Sequence, residues 1–163
     1  MPVTFPTRLR ALPLWPEWAW AIHYLDKRVE NRTWPIATGE WFALHAGKHP
    51  ITTGGIYALA EMAVRAGWTV SGKVGGGTFA KGDRSVPFDA RDVPTSAILG
   101  LFRVTCADAP GWGPLGGWRV PDQVGNAFEY RPLREPVACR GAQGLWTVPA
   151  EVVERVRAEV SHG

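Results

Sequence analysis

The chain has 163 residues, 45% hydrophobic and 20% charged, with 18 Lys+Arg against 15 Asp+Glu for a formal net charge of +3. That length predicts one domain able to bury a core without metal or disulfide staples, and the composition excludes wholesale disorder. No apolar run approaches the roughly 20 residues of a membrane helix, the Pro-rich start lacks the apolar segment of a signal peptide, and Cys106 and Cys139 suit neither a disulfide scaffold nor a CxxC pair, so a cytoplasmic chain with reduced thiols and no membrane partner is expected.

Nine tryptophans outnumber six Phe and three Tyr. Indole is a demanding core filler because its N–H needs a partner when buried. Most of the nine are expected to pack, leaving some to line a groove where a base or sugar can stack.

Pro16 to Leu25 reads as a short helix. Pro16 suits its first position, Glu17 complements its positive end, and Trp18, Ile22 and Leu25 recur at i, i+4, i+7. Arg28 to Trp34 then reads as a strand ending before Pro35, and Glu40–His45 as a buried strand. Thr52 or Thr53 caps a second helix from about Gly55 to Ala66, stopped by Gly67. The Gly-rich, polar stretch 69–94 reads as a mobile loop or weak hairpin inserted in the domain. Ala97–Cys106 is the clearest strand, followed by a Gly/Trp/Pro-rich connection over 109–125 and strands near 127–134 and 144–148. Pro149 opens a last helix with Val152, Val153, Val156 and Val160 on one face. The order of elements predicts an α+β fold with a curled sheet or small barrel.

Two motifs fail on inspection. In Gly72-Lys73-Val74-Gly75-Gly76-Gly77-Thr78 the lysine precedes the glycines, the reverse of a phosphate loop. His45 and His49 lack both a helix to align them and a third ligand, so no metal site is expected. No cofactor is called for either.

Lys27-Arg28-Val29-Glu30-Asn31-Arg32-Thr33-Trp34 is the stronger candidate. On a strand, Arg28, Glu30, Arg32 and Trp34 share one face. Arginines offer forked donors to phosphate, the carboxylate accepts from a base amino group, and the indole stacks. Lys27, at the helix-to-strand corner, reaches phosphate or serves as a base if desolvation lowers its pKa. A solvated edge strand with alternating salt bridges has the same pattern.

Leu14-Trp15-Pro16-Glu17-Trp18-Ala19-Trp20-Ala21-Ile22 followed by Lys27-x-x-Glu30-x-Arg32 and Trp34 resembles the opening of an ASCH (activating signal cointegrator homology) domain. The resemblance continues through Leu44-His45-Ala46-Gly47-Lys48, through Ala97-Ile98-Leu99-Gly100 and through Gly141-Ala142-Gln143-Gly144-Leu145-Trp146. Asp26 departs from the pattern, since many members carry Gly beside the lysine. The resemblance implies a single domain over 1–163 with a PUA-like fold, a small β-barrel with flanking helices. It implies a cleft beside the first helix faced by Lys27, Glu30 and Arg32, with His45 at its wall. RNA or other single-stranded nucleic acid is the implied partner, or a nucleoside-like small molecule. A cationic groove would gather Arg8, Arg10, Lys27, Arg28, Arg32 and Lys48, and the sequence pI near 9.1 agrees with that partner.

Two functions follow. In a binding module, a base stacks on Trp34, or on Trp15 or Trp20, while Arg28 and Arg32 contact phosphate and Glu30 reads a donor edge. In a small metal-independent hydrolase, similar to the family's ribonucleases or its amidohydrolases on N4-acylated cytidine, Lys27 is the base and Glu30 the acid. The amidohydrolase pattern is Lys-x-x-Thr with a separate Glu, and Glu30 stands where that hydroxyl would be. No oligomeric state is assigned by either reading.

Overall fold

The computed structural model describes residues 3–108 and 116–160; Trp112 of the Gly/Trp/Pro-rich connection lies outside them. The main sheet has six strands in the order β2-β8-β7-β3-β1-β9: β1 (Arg10–Leu14), β2 (Val29–Arg32), β3 (Trp41–Ala46), β7 (Ala97–Cys106), β8 (Val124–Ala138) and β9 (Trp146–Thr147). Only the β1–β3 pair is parallel. With three α-helices among the described residues, α1 (Pro16–Tyr24), α2 (Thr53–Arg65) and α3 (Ala150–Glu159), the architecture is α+β around a curled half-barrel. None of the helices among the described residues is long and apolar enough to cross a membrane.

Alternation along the strands fills both faces of this sheet. Leu12, Phe42, Leu44, Phe102 and Phe128 pack on one face with Ala19 and Ile22 of α1. Ala11, Trp41, Ala43, Ile98 and Leu101 pack on the other with Val152 and Val156 of α3. The Ala-rich α1 is buried on its far side too, where Trp20, Ala21 and Leu25 meet Leu59 and Ala63 of α2. Thr52 caps α2, its Oγ1 accepting the Gly55 N–H at 3.0 Å. The buried Glu17 carboxylate lies against that first turn of α2, where a Cβ on Gly55 would come within 2.9 Å of Oε1. An anion is favourable at that positive helix end.

Outside the Lys27–Trp34 segment, two features differ from the sequence expectation. Residues 69–94 contain an antiparallel meander, β4 (Thr69–Lys73), β5 (Gly76–Lys81) and β6 (Arg84–Asp89), where a loop or weak hairpin is expected. Its glycines serve close strand approach: a Cβ on Gly77 would lie 2.1 Å from the Ser71 carbonyl oxygen. Phe79 and Phe88 are buried against Trp20, at ring separations of 5.4 and 5.0 Å. The second difference is β1, an additional strand despite Pro13. Beside β1, β9 pairs only with Arg10 and Ala11, so Pro13 faces no partner there and its missing N–H costs nothing.

Candidate functional site

The strand ends build one side of a cavity. Leu14 pairs with Ala46, Ala46 with Ala97, and Ala97 with Ala138, a single rung across β1, β3, β7 and β8. Just beyond it the backbone continues the ladder: Gly47 N–H donates to Leu14 O at 2.9 Å, Ser96 N–H to Gly47 O at 3.2 Å and Cys139 N–H to Ser96 O at 2.9 Å. Trp15, Lys48 and Arg140 emerge from this edge into a cavity of about 1010 Å³, closed on its other sides by Trp18, β2, α2 and Trp118.

Lys27 is placed in it by the end of α1. Asp26 takes a left-handed φ of 56°, the conformation glycine adopts most easily and Asp tolerates. The chain reverses there, and the Lys27 N–H reaches back to Ala21 O at 3.2 Å. The Lys27 side chain, 3% exposed, donates to the Val29 carbonyl and, at 3.2 Å, to Glu30 Oε2. The other oxygen, Glu30 Oε1, lies 2.9 Å from Arg32 Nε, and Arg32 Nη2 donates to Pro13 O at 3.2 Å. One buried carboxylate is therefore shared by two cations. Burial drives the Lys27 pKa below its ordinary value, partly opposed by Glu30 and reinforced by Arg32. Lys27 Nζ stands 5.9 Å from the Trp18 ring centroid, within cation–π range.

Two asparagines hold this strand in place. Asn126, fully buried, accepts the Ile36 N–H at 2.8 Å and donates to Glu30 O at 3.2 Å. Asn31 donates to Trp118 O and accepts the Val120 N–H at 2.9 Å, clamping the Trp118 segment onto β2.

His45 is 1% exposed and its Nε2 lies 2.8 Å from Cys139 O. A carbonyl only accepts, so Nε2 carries the proton and the neutral ring leaves Nδ1 as an acceptor. Nδ1 has no hydrogen-bond partner and lies beneath Gly141, where a Cβ would approach Cε1 to 2.4 Å. Burial lowers the His45 pKa, with the Cys139 hydrogen bond acting the other way.

Of the residues singled out in sequence, Lys27, Glu30, Arg32, His45 and Lys48 line the cavity. Arg28 and Trp34 do not. Arg28 donates to the Ile22 and Lys27 carbonyls at 2.7 and 2.9 Å and lies over the Tyr130 ring. Unpaired carbonyls at a helix C-terminus attract a cation more strongly than strand alternation directs it. Strand β2 ends at Arg32, so the period-two pattern does not reach Trp34, which is 37% exposed outside the cavity. Arg8 and Arg10 are also elsewhere, on Thr147 and Glu40. Trp20 is core.

Trp18, placed by spacing on the apolar stripe, packs against the cluster that holds Leu59 and Ala63 and also lines the cavity, with Trp15, Trp118, Asn31 and Arg140. Of these, Trp15 carries a sequence signal as a second choice for stacking after Trp34, and Trp18 as a tryptophan of the first helix. Among the described residues no group of three or more His, Cys, Asp or Glu is placed to hold a metal ion. No protein-family model matches the chain, and no curated protein matches it.

Proposed function

We propose that the chain is a nucleic-acid-binding module of the ASCH type with a PUA-like fold, taking a base of single-stranded RNA or DNA into the Lys27 cavity. The observation that carries this reading is the Trp18 ring beside the buried Lys27–Glu30 pair and the partly buried Arg32 in one cavity of about 1010 Å³. Ligand sites commonly measure about 300–1,000 Å³, so a nucleotide has room. The Trp18 indole supplies a stacking face, Glu30 has lone pairs left for a base amino group, and Arg32 Nη1 is left for a phosphate while Nε faces Glu30 and Nη2 donates to Pro13 O. The free thiols Cys106 and Cys139 suit a reducing, cytoplasmic setting. Titration with single-stranded hexanucleotides should quench tryptophan fluorescence, with an affinity that falls steeply with salt. Silence with every hexanucleotide at low salt refutes the reading.

A metal-independent hydrolase is the second reading, favoured by one observation. Lys27, its pKa lowered by burial, touches Glu30 inside the cavity, so the base and the carboxyl group that this reading needs stand in contact. Incubation with N4-acylcytidine and with RNA in EDTA tests it. Turnover that survives Lys27→Ala removes Lys27 from the chemistry.

A further inference from the structure

The rim of the cavity carries features that a single inserted base does not use. Trp15 is 60% exposed although it stands between β1 and the first residue of α1. Its backbone is fixed, since its carbonyl accepts the Trp18 and Ala19 N–H groups at 3.0 and 3.1 Å. Lys48 and Arg140 are both exposed, and among the described residues neither side chain has a hydrogen-bond or ion-pair partner. The other arginines that line this cavity or flank its motif are engaged: Arg32 with Glu30, Arg28 with Asp26. Lys48 and Arg140 follow the paired residues Ala46 and Ala138 by two positions each, on either side of Ala97. The rung thus delivers two unpaired cations and an exposed indole on a fixed backbone to one edge of the cavity. His49 adds a second ring, 6.3 Å from that of Trp15.

We infer that this rim is a second subsite, in which Lys48 and Arg140 hold the phosphate linking the inserted nucleotide to its neighbour and Trp15 stacks the neighbour's base. The ligand class is therefore a single-stranded oligonucleotide and not a free nucleoside. This inference rests on the nucleic-acid reading of the inner cavity and names its substrate. Two flexible cations around a phosphodiester and an indole for the adjoining base are the usual elements of sequence-tolerant single-strand binding.

The test compares the four nucleosides, their 5′-monophosphates and random-sequence RNA and DNA hexamers, using fluorescence and calorimetry with the full chain. Wild type should bind hexamers about tenfold or more tighter than nucleosides. Lys48→Ala/Arg140→Ala should reduce the magnitude of the log affinity–log salt slope by about 0.7 for hexamers, the value for the one phosphate they share, and leave nucleoside binding unchanged. Trp15→Ala should weaken hexamers alone. All three side chains are exposed, and a melting curve equal to wild type verifies folding. Hexamers bound no tighter than nucleosides or monophosphates overturn the rim subsite, as does an unchanged salt slope in the double variant; both results leave the inner cavity standing. Failure of wild type to bind any of these probes overturns the inner-cavity reading and the rim with it.

Discussion

The Lys27 ammonium meets the Glu30 carboxylate at 3.2 Å with the two side chains only 3% and 9% exposed, and Glu30 alone holds a second cation, Arg32. The arrangement is asymmetric. Loss of Glu30 strands two cations, whereas loss of Lys27 leaves Glu30 still paired.

Glu30→Gln should therefore cost more stability than Lys27→Met. Removing one partner of a buried ion pair costs about 3–5 kcal/mol. The lower end applies to Glu30→Gln, because the already depressed Lys27 pKa lets the amine shed its proton and limits the loss. Lys27→Met should lose less than half as much. Urea unfolding at unchanged m-value measures both, and equal losses would contradict the shared-carboxylate picture.

Gly141→Ala should disturb the wall over His45. The new Cβ would come within 2.4 Å of His45 Cε1, and the ring cannot retreat, held by Cys139 O and by the Trp146 ring at 5.4 Å. The exposed chain around Gly141 yields more easily than the ring, so the cost is about 1 kcal/mol, the low end for overpacking. A double-mutant cycle with His45→Ala should recover most of it.

Much of this site was legible because its chemistry is local. Lys27, Glu30 and Arg32 lie within six consecutive residues, and the strand at Ala97–Cys106 and the Thr52-capped helix declared themselves by periodicity and capping. What was hidden depends on distant pairing. Arg140 comes to the same cavity edge as Lys48 only through the pairing of β3 and β8 with β7, and Pro13 is tolerated only because β9 is short. Arg28 and Trp34 were misplaced because a four-residue strand was extended past both its ends. The meander was hidden by its own glycines, which read as flexibility but serve close approach of β4 and β5.

Acid should destabilise the fold through two histidines. Burial lowers the pKa of His45, and burial followed by Arg28 lowers that of His23, both from an ordinary 6.5. Below pH 6.5 the unfolded chain binds protons that the folded chain refuses, so stability is fully present above that pH and is lost as pH falls toward the folded values. Each histidine contributes a slope of at most about 1.4 kcal/mol per pH unit. Urea midpoints from pH 7.5 to 5 should fall for wild type, after subtraction of the carboxylate contribution, and less steeply for His45→Gln/His23→Gln.

Trp20 should be the residue that couples the meander to the rest of the molecule. Its ring is 5% exposed and meets Phe79 and Phe88 from the two sheet strands β5 and β6. The meander's polar ties, Arg84 to Asp26 and Lys81 to the Ala66 carbonyl, are exposed, and exposed ion pairs contribute about 1 kcal/mol or less. Deleting a buried aromatic costs about 3–5 kcal/mol. Because Trp20 also touches α2 through its cluster, some of that loss falls on the whole domain, but β7 and β8 are held by their own pairing and by Phe102 and Phe128 on the opposite side of α1. Trp20→Ala should thus lower amide hydrogen-exchange protection more at Gly76–Lys81 and Arg84–Asp89 than at Ala97–Cys106. Equal loss across both sheets would show one cooperative unit and place the coupling elsewhere than in this aromatic cluster.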